Sequence, residues 1–243
     1  MFGKRRTAAL VAEFLGTGAL TLLLLSVERS TIGVPFFVAI AAGLTVALMM
    51  FALGDQSGGF FNPAITIAMW TVRRVSAIAG IFYIAAELLG GWAAYAVYKY
   101  FTSTALQPVG GHFTTRILVA EVVGTFIFGF GYAAAVYKRY SSAVTASFVG
   151  VAFLLGIVAA SSASIGLLNP AIALGVRAWV WGTYVLGPVI GAFIGFQLYD
   201  LLFAAEGESA NLMAYNSKAT AAPVVVTKPV AKPKKRTATK RKK

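Results

Sequence analysis

The sequence has no cysteine and a single histidine, His112, among 243 residues. Disulfides, thiolate metal sites and thiol nucleophiles are therefore excluded, and mercurial reagents find no thiol to attack. One imidazole cannot build a multi-histidine metal centre within a chain. Charge is scarce as well: Asp, Glu, Lys and Arg make up 12% of the residues, against 58% hydrophobic. Soluble domains carry about 25% charged residues. With a mean hydropathy of +0.78, the chain is expected to have lipid as its solvent. Acid is scarcer than base, giving a formal net charge of +13. Ten of the 21 Lys and Arg residues lie between Lys218 and Lys243. The net charge thus describes a tail rather than the body.

A bilayer core of about 30 Å takes roughly 20 apolar residues per spanning helix. Six stretches qualify: 8–27, 32–53, 75–97, 117–136, 143–163 and 180–203. Helices are the expected form, because lipid offers backbone N–H and C=O groups no other partner. The first stretch follows Lys4-Arg5-Arg6 as a signal peptide would, but its length and internal Glu13 argue against one. Six spans put both termini on one side, with Lys4, Arg5, Arg6, Arg73, Arg74, Lys138 and Arg139. The other side has only Arg29, Lys99, Arg116 and Arg177. The positive-inside rule then predicts cytoplasmic termini. Residues 1–7 form a short cytoplasmic N-terminus, 8–204 a channel-like domain, and 205–243 a tail ending Lys-Arg-Lys-Lys whose composition predicts disorder.

The body is built twice. Ala12-Glu13-Phe14-Leu15-Gly16-Thr17 returns as Ala120-Glu121-Val122-Val123-Gly124-Thr125, and Asn62-Pro63-Ala64-Ile65 as Asn169-Pro170-Ala171-Ile172. Gly43 pairs with Gly150, and Gly90 with Gly191, in the same order. The repeats run over about 8–100 and 115–204. Three spans per repeat is an odd number, so the second copy enters the membrane from the opposite face. Inverted repeats place a functional site near the midplane, where interrupted helices meet. The triplet loops supply the interruptions, each followed by an apolar run too short to span, 64–72 and 171–176. The predicted fold is an all-α membrane protein of six transmembrane helices plus two re-entrant half-helices in inverted three-helix repeats.

Asn followed by Pro is a strong helix start. The Asn side chain caps orphan N–H groups, and Pro at the first position forgoes an N–H that would have no partner. One triplet is an ordinary junction; two at the repeat spacing are not. By inversion, both half-helices aim their positive N-termini at the membrane centre, where they disfavour cations. The asparagines retain side-chain N–H groups for a passing oxygen. A pore for neutral, hydrogen-bonding molecules is the expected outcome.

These residues, together with Ser57-Gly58-Gly59-Phe60-Phe61 before the first triplet and Gly187-Pro188-Val189-Ile190-Gly191-Ala192, resemble the aquaporins of the major intrinsic protein family across 8–204 or so. The resemblance implies a homotetramer in the membrane lipid, with one pore per subunit for water and small neutral solutes and no cofactor. It also implies that Glu13 and Glu121 accept hydrogen bonds from the re-entrant loops and hold their shape. Glu87 stands where the family more often has glutamine, and two readings stay open for it: a protonated acid or a pore-facing one. The resemblance fails at the outer filter. Of the family's four filter positions the first is usually aromatic, the second often His and the last nearly always Arg; the four are here Ala42, Ile157, Gly166 and Ile172. Phe60 replaces a usual His. Arg177 lies five residues past Ile172, on another helix face, and is not counted as a substitute. A widened filter lacking charge and side-chain donors predicts weak discrimination between water and larger neutral solutes.

Two other functions compete. An ion-coupled transporter or anion channel of inverted-repeat design would need charge at the midplane, and the triplet loops carry none. A membrane-anchored binder would use the basic tail on anionic lipid or other polyanions, with strong salt dependence. An enzyme is not expected: there is no cysteine, and His112 falls in a predicted external loop.

Overall fold

A computed structural model describes residues 3–28, 34–109 and 111–204. The predicted disordered tail, 205–243, lies outside the described residues. Among the described residues eight α-helices follow in order: α1 Lys4–Glu28, α2 Pro35–Ser57, α3 Pro63–Thr71, α4 Ala77–Thr102, α5 Thr115–Tyr137, α6 Ser142–Ala160, α7 Pro170–Gly175 and α8 Leu186–Phe203. Six segments are long and apolar enough to cross a bilayer, namely α1, α2, α4, α5, α6 and the segment 181–203. The short α3 and α7 are the expected half-helices.

Local chemistry sets the boundaries. Pro35 opens α2, and Gly58 closes it in a left-handed conformation with its N–H on the Gly54 carbonyl. Ser76 caps α4 by accepting from the Ala79 N–H, and Thr114 caps α5 by accepting from that of Ile117. Before α8 the chain makes one π-helical turn, Trp181–Val185, in which the Leu186 N–H reaches back to Trp181 O. Pro188 accounts for it: its ring crowds the carbonyl four residues earlier, and the wider turn relieves the clash.

Helix packing repeats with the sequence. α1 packs on α2 and α4 as α5 packs on α6 and α8; α3 lies against α8 as α7 lies against α4; and α2 meets α6 across the centre. Exchange of the halves maps this pattern onto itself. Glycines permit the closest crossings. A Cβ on Gly90 would overlap the Phe14 carbonyl, and one on its counterpart Gly191 would overlap that of Val122. Such small residues let membrane helices approach backbone to backbone. The exterior is apolar, with Leu44, Leu48, Phe51, Ile78 and Leu201 exposed, whereas Glu13, Glu87, Glu121, Asn62 and Asn169 are buried. Polarity is thus inverted relative to a soluble protein, as a lipid solvent requires.

Candidate functional site

Each triplet does what its residues predict locally. Asn62 and Asn169 are extended N-caps, with Pro63 and Pro170 in first position. Asn62 Oδ1 accepts from the Ala64 N–H at 2.9 Å. Asn169 Oδ1 accepts from that of Ala171 at 2.9 Å and from that of Ile172 at 3.4 Å. The other end of each side chain crosses to the opposite loop. Asn62 Nδ2 donates to Leu168 O at 2.9 Å, and Asn169 Nδ2 donates to Phe61 O at 2.8 Å. Each asparagine therefore caps its own half-helix and ties down the residue preceding the other asparagine.

The approach to each asparagine is a strained segment. Phe61 and Leu168 have φ of 50° and 52°. The left-handed conformation costs a non-glycine residue about 1–2 kcal/mol. Gly59 and Gly166, two residues earlier, carry φ of 72° and 66° at no such cost. Two carboxylates hold the bends. Glu13 on α1 accepts the N–H groups of Phe60 at 3.1 Å and Phe61 at 2.6 Å. Glu121 on α5 accepts those of Leu167 at 3.1 Å and Leu168 at 2.8 Å, together with the Ser164 hydroxyl. Charge-assisted bonds of this kind contribute about 1.5–3 kcal/mol each, enough to hold the strain. Ser57 and Ser164 tighten the same turns, each accepting the N–H of the glycine two residues on, at 3.2 Å.

Glu87 is buried and bonded to the first triplet. Its Oε1 accepts the Asn62 N–H at 3.2 Å and the Thr66 hydroxyl at 2.6 Å. It braces the first turn of α3 from α4, a task Pro188 at the matching position cannot share.

The four predicted filter residues are dispersed over α2, α6, the second loop and α7. Ala42, Ile157 and Ile172 are wholly buried. Gly166 sits against Ile157, since a Cβ there would lie 3.2 Å from Ile157 Cγ2. Arg177 is engaged elsewhere. It donates to Leu106 O at 2.6 Å, lies over the Tyr95 ring, and accepts the Val109 N–H on its own carbonyl. It clamps the segment between α4 and α5 onto the end of α7. His112 is exposed in that segment. Among the described residues no group of metal-ligating side chains forms a site.

Re-entrant half-helices joined tip to tip between inverted three-helix repeats are a distinctive arrangement, and the comparison with known families agrees. The model of the major intrinsic protein family matches residues 4–199. The chain belongs to that family. It is similar to Aquaporin Z of Photorhabdus laumondii subsp. laumondii, with 31% identity over 225 residues, 80% of this chain and 97% of that protein. It is also similar to Glycerol uptake facilitator protein-like 6 of Lactiplantibacillus plantarum, with 30% identity over 203 residues, 76% of this chain and 93% of that protein. The X-ray structure of the aquaglyceroporin from Plasmodium falciparum shares the fold, with a TM-score of 0.71 at 19% identity, over 81% of this chain and 96% of that one. As a major intrinsic protein the chain is an integral, multi-pass membrane protein and a passive channel rather than an enzyme.

The sequence alone points to Asn62, Asn169, Glu13 and Glu121. It does not point to Tyr132, whose hydroxyl donates to Gly58 O at 2.8 Å. A tyrosine within an apolar span carries no periodic signal that separates it from its neighbours.

Proposed function

We propose that this channel passes water and small neutral solutes of the glycerol and urea class along a path between Asn62 and Asn169. The observation that carries the reading is the reciprocal asparagine pair. Each carboxamide nitrogen has two hydrogens and gives one to the opposite loop, which leaves one for a solute oxygen. Two helix N-termini meet at that point, and their partial positive charge disfavours cations. The names of the relatives, an aquaporin and a glycerol uptake facilitator, support both solute classes.

Ala42, Ile157, Gly166 and Ile172 form the outer filter in this reading. It offers no charge and no side-chain donor, so it discriminates weakly by chemistry. Swelling of proteoliposomes loaded with the purified protein should show entry of water, glycerol and urea. Strict selectivity for water would overturn the filter assignment, and no swelling at all would overturn the channel. The ion-conducting alternative needs charge free to face a permeating ion, and Glu13, Glu87 and Glu121 all accept from the loops and half-helices instead.

Both termini are placed in the cytoplasm by the basic loops, and the unit is a homotetramer with one conduit per chain. The basic tail touches anionic lipid or other polyanions without taking part in conduction. Deletion of residues 210–243 should leave water permeability per channel unchanged while weakening binding to anionic vesicles. A loss of permeability on deletion would tie the tail to the pore.

A further inference from the structure

The two halves of the conduit share a backbone but not its side chains. A trans peptide points its carbonyl opposite to its own N–H. The N–H groups of Phe60 and Phe61 are directed at Glu13, so the carbonyls of Gly59 and Phe60 face away from it. The same holds for Gly166 and Leu167 across from Glu121. These carbonyls are the acceptors that a hydrogen-bonding solute would meet on either side of the asparagines. In the second loop, the corresponding carbonyls belong to Ile165 and Gly166. In the first loop, Tyr132 on α5 stands on the matching pair. Its hydroxyl donates to Gly58 O at 2.8 Å, with Gly59 O at 3.4 Å. The residue matching Tyr132 in the first repeat is Leu24, which has no hydroxyl.

Bulk follows the same asymmetry. The Tyr132 ring contacts Phe60 at 6.2 Å and Phe128 at 6.0 Å between centroids, and Phe128 lies 4.7 Å from Phe153. All four side chains are buried. Their counterparts under the repeat are Leu167, Leu24, Leu20 and Val46, smaller at every position. Three different elements, the first loop, α5 and α6, thus supply a ring where the other half has an aliphatic chain.

We propose that Tyr132 is a specificity-determining residue of this channel. Its hydroxyl, held on the Gly58 carbonyl and 3.4 Å from that of Gly59, competes with the solute for the Gly59 carbonyl. Its ring, with those of Phe60, Phe128 and Phe153, closes an inner constriction on the side of the first loop. Size selection then occurs there, and the outer apolar filter plays the lesser part. The proposal rests on the neutral-solute reading above.

The full chain in proteoliposomes tests it by stopped-flow measurement of water and glycerol entry. Y132F keeps the ring and releases the carbonyls. Water entry should rise about fivefold, the rate equivalent of one net hydrogen bond removed from the path, with glycerol little changed. Y132L installs the residue of the other half, and glycerol entry should rise on the order of tenfold, about 1.4 kcal/mol off the barrier. F153V enlarges the same place from α6 and should raise glycerol entry independently, so the test survives if Y132L fails to fold. L24Y should slow glycerol by building a second constriction. If the wild type conducts and the folded variants match it, Tyr132 does not set selectivity and the proposal falls alone. If none of these well-folded chains conducts any solute, the neutral-solute reading falls and takes the proposal with it.

Discussion

Replacing Glu121 with alanine is expected to abolish conduction and to lower stability by about 2–6 kcal/mol. The estimate follows from two buried backbone N–H groups, those of Leu167 and Leu168, left without acceptors at about 1–3 kcal/mol each. Leu168 would lose the contact that holds its left-handed backbone, and Asn62 would lose a fixed carbonyl to donate to. E121Q retains one carbonyl acceptor but turns an N–H₂ toward the remaining backbone donor, so it should fall between wild type and alanine. Glu13→Ala should be milder than Glu121→Ala. The first loop has further supports, with Glu87 on the Asn62 N–H and Tyr132 on the Gly58 carbonyl. Thermal unfolding in detergent and water permeability in liposomes measure the two effects. An E121A protein that keeps wild-type melting and conduction would remove the glutamate from its bracing role.

Gly91→Ala should stop conduction with less damage to the fold. Gly91 on α4 faces the first turn of α7, and an added Cβ would overlap the Ala171 carbonyl oxygen. That atom is backbone and cannot rotate away, so α7 itself must shift, taking Asn169 with it. Over-packing of this sort costs about 1–3 kcal/mol, less than unfolding a membrane bundle requires. Gly80→Ala on the same helix is the control. The nearest atoms to its Cβ are Val75 Cγ1 at 3.8 Å and Thr66 Cγ2 at 3.9 Å, ordinary contact distances. Equal water permeability for G91A and wild type would show that α7 does not need its position.

Much of this was legible in the sequence because lipid leaves so few choices. The six apolar runs became spans, and the two Asn-Pro pairs became helix starts, since both signals depend on local physics. The helix ends were less legible. The sequence reading closes the second span at 53, but α2 continues through Asp55 to Ser57, and α4 runs past 97 to Thr102. Hydropathy marks where the chain leaves hydrocarbon; hydrogen bonding carries the helix on into the interface. The bracing acids were visible through their repetition, Glu13 with Glu121. Glu87 had no such echo, and its partner Thr66 is remote in sequence. The left-handed Phe61 and Leu168 carry no glycine to announce them. Their conformation is imposed from a distance by the glutamates. Tyr132 escaped notice for a related reason: its role depends on what lies 74 residues away.

The crossed asparagines also have a meaning in time. Asn62 is synthesised 107 positions before Asn169. At about 5–20 residues per second, the first loop exists for roughly 5–20 s before the second has emerged from the ribosome. Throughout that interval the Phe61 carbonyl and one Asn62 N–H have nothing to bind on the other side. The first re-entrant loop is thus a late-setting part of an early-made half, and its final shape is fixed only when the last third of the channel enters the membrane.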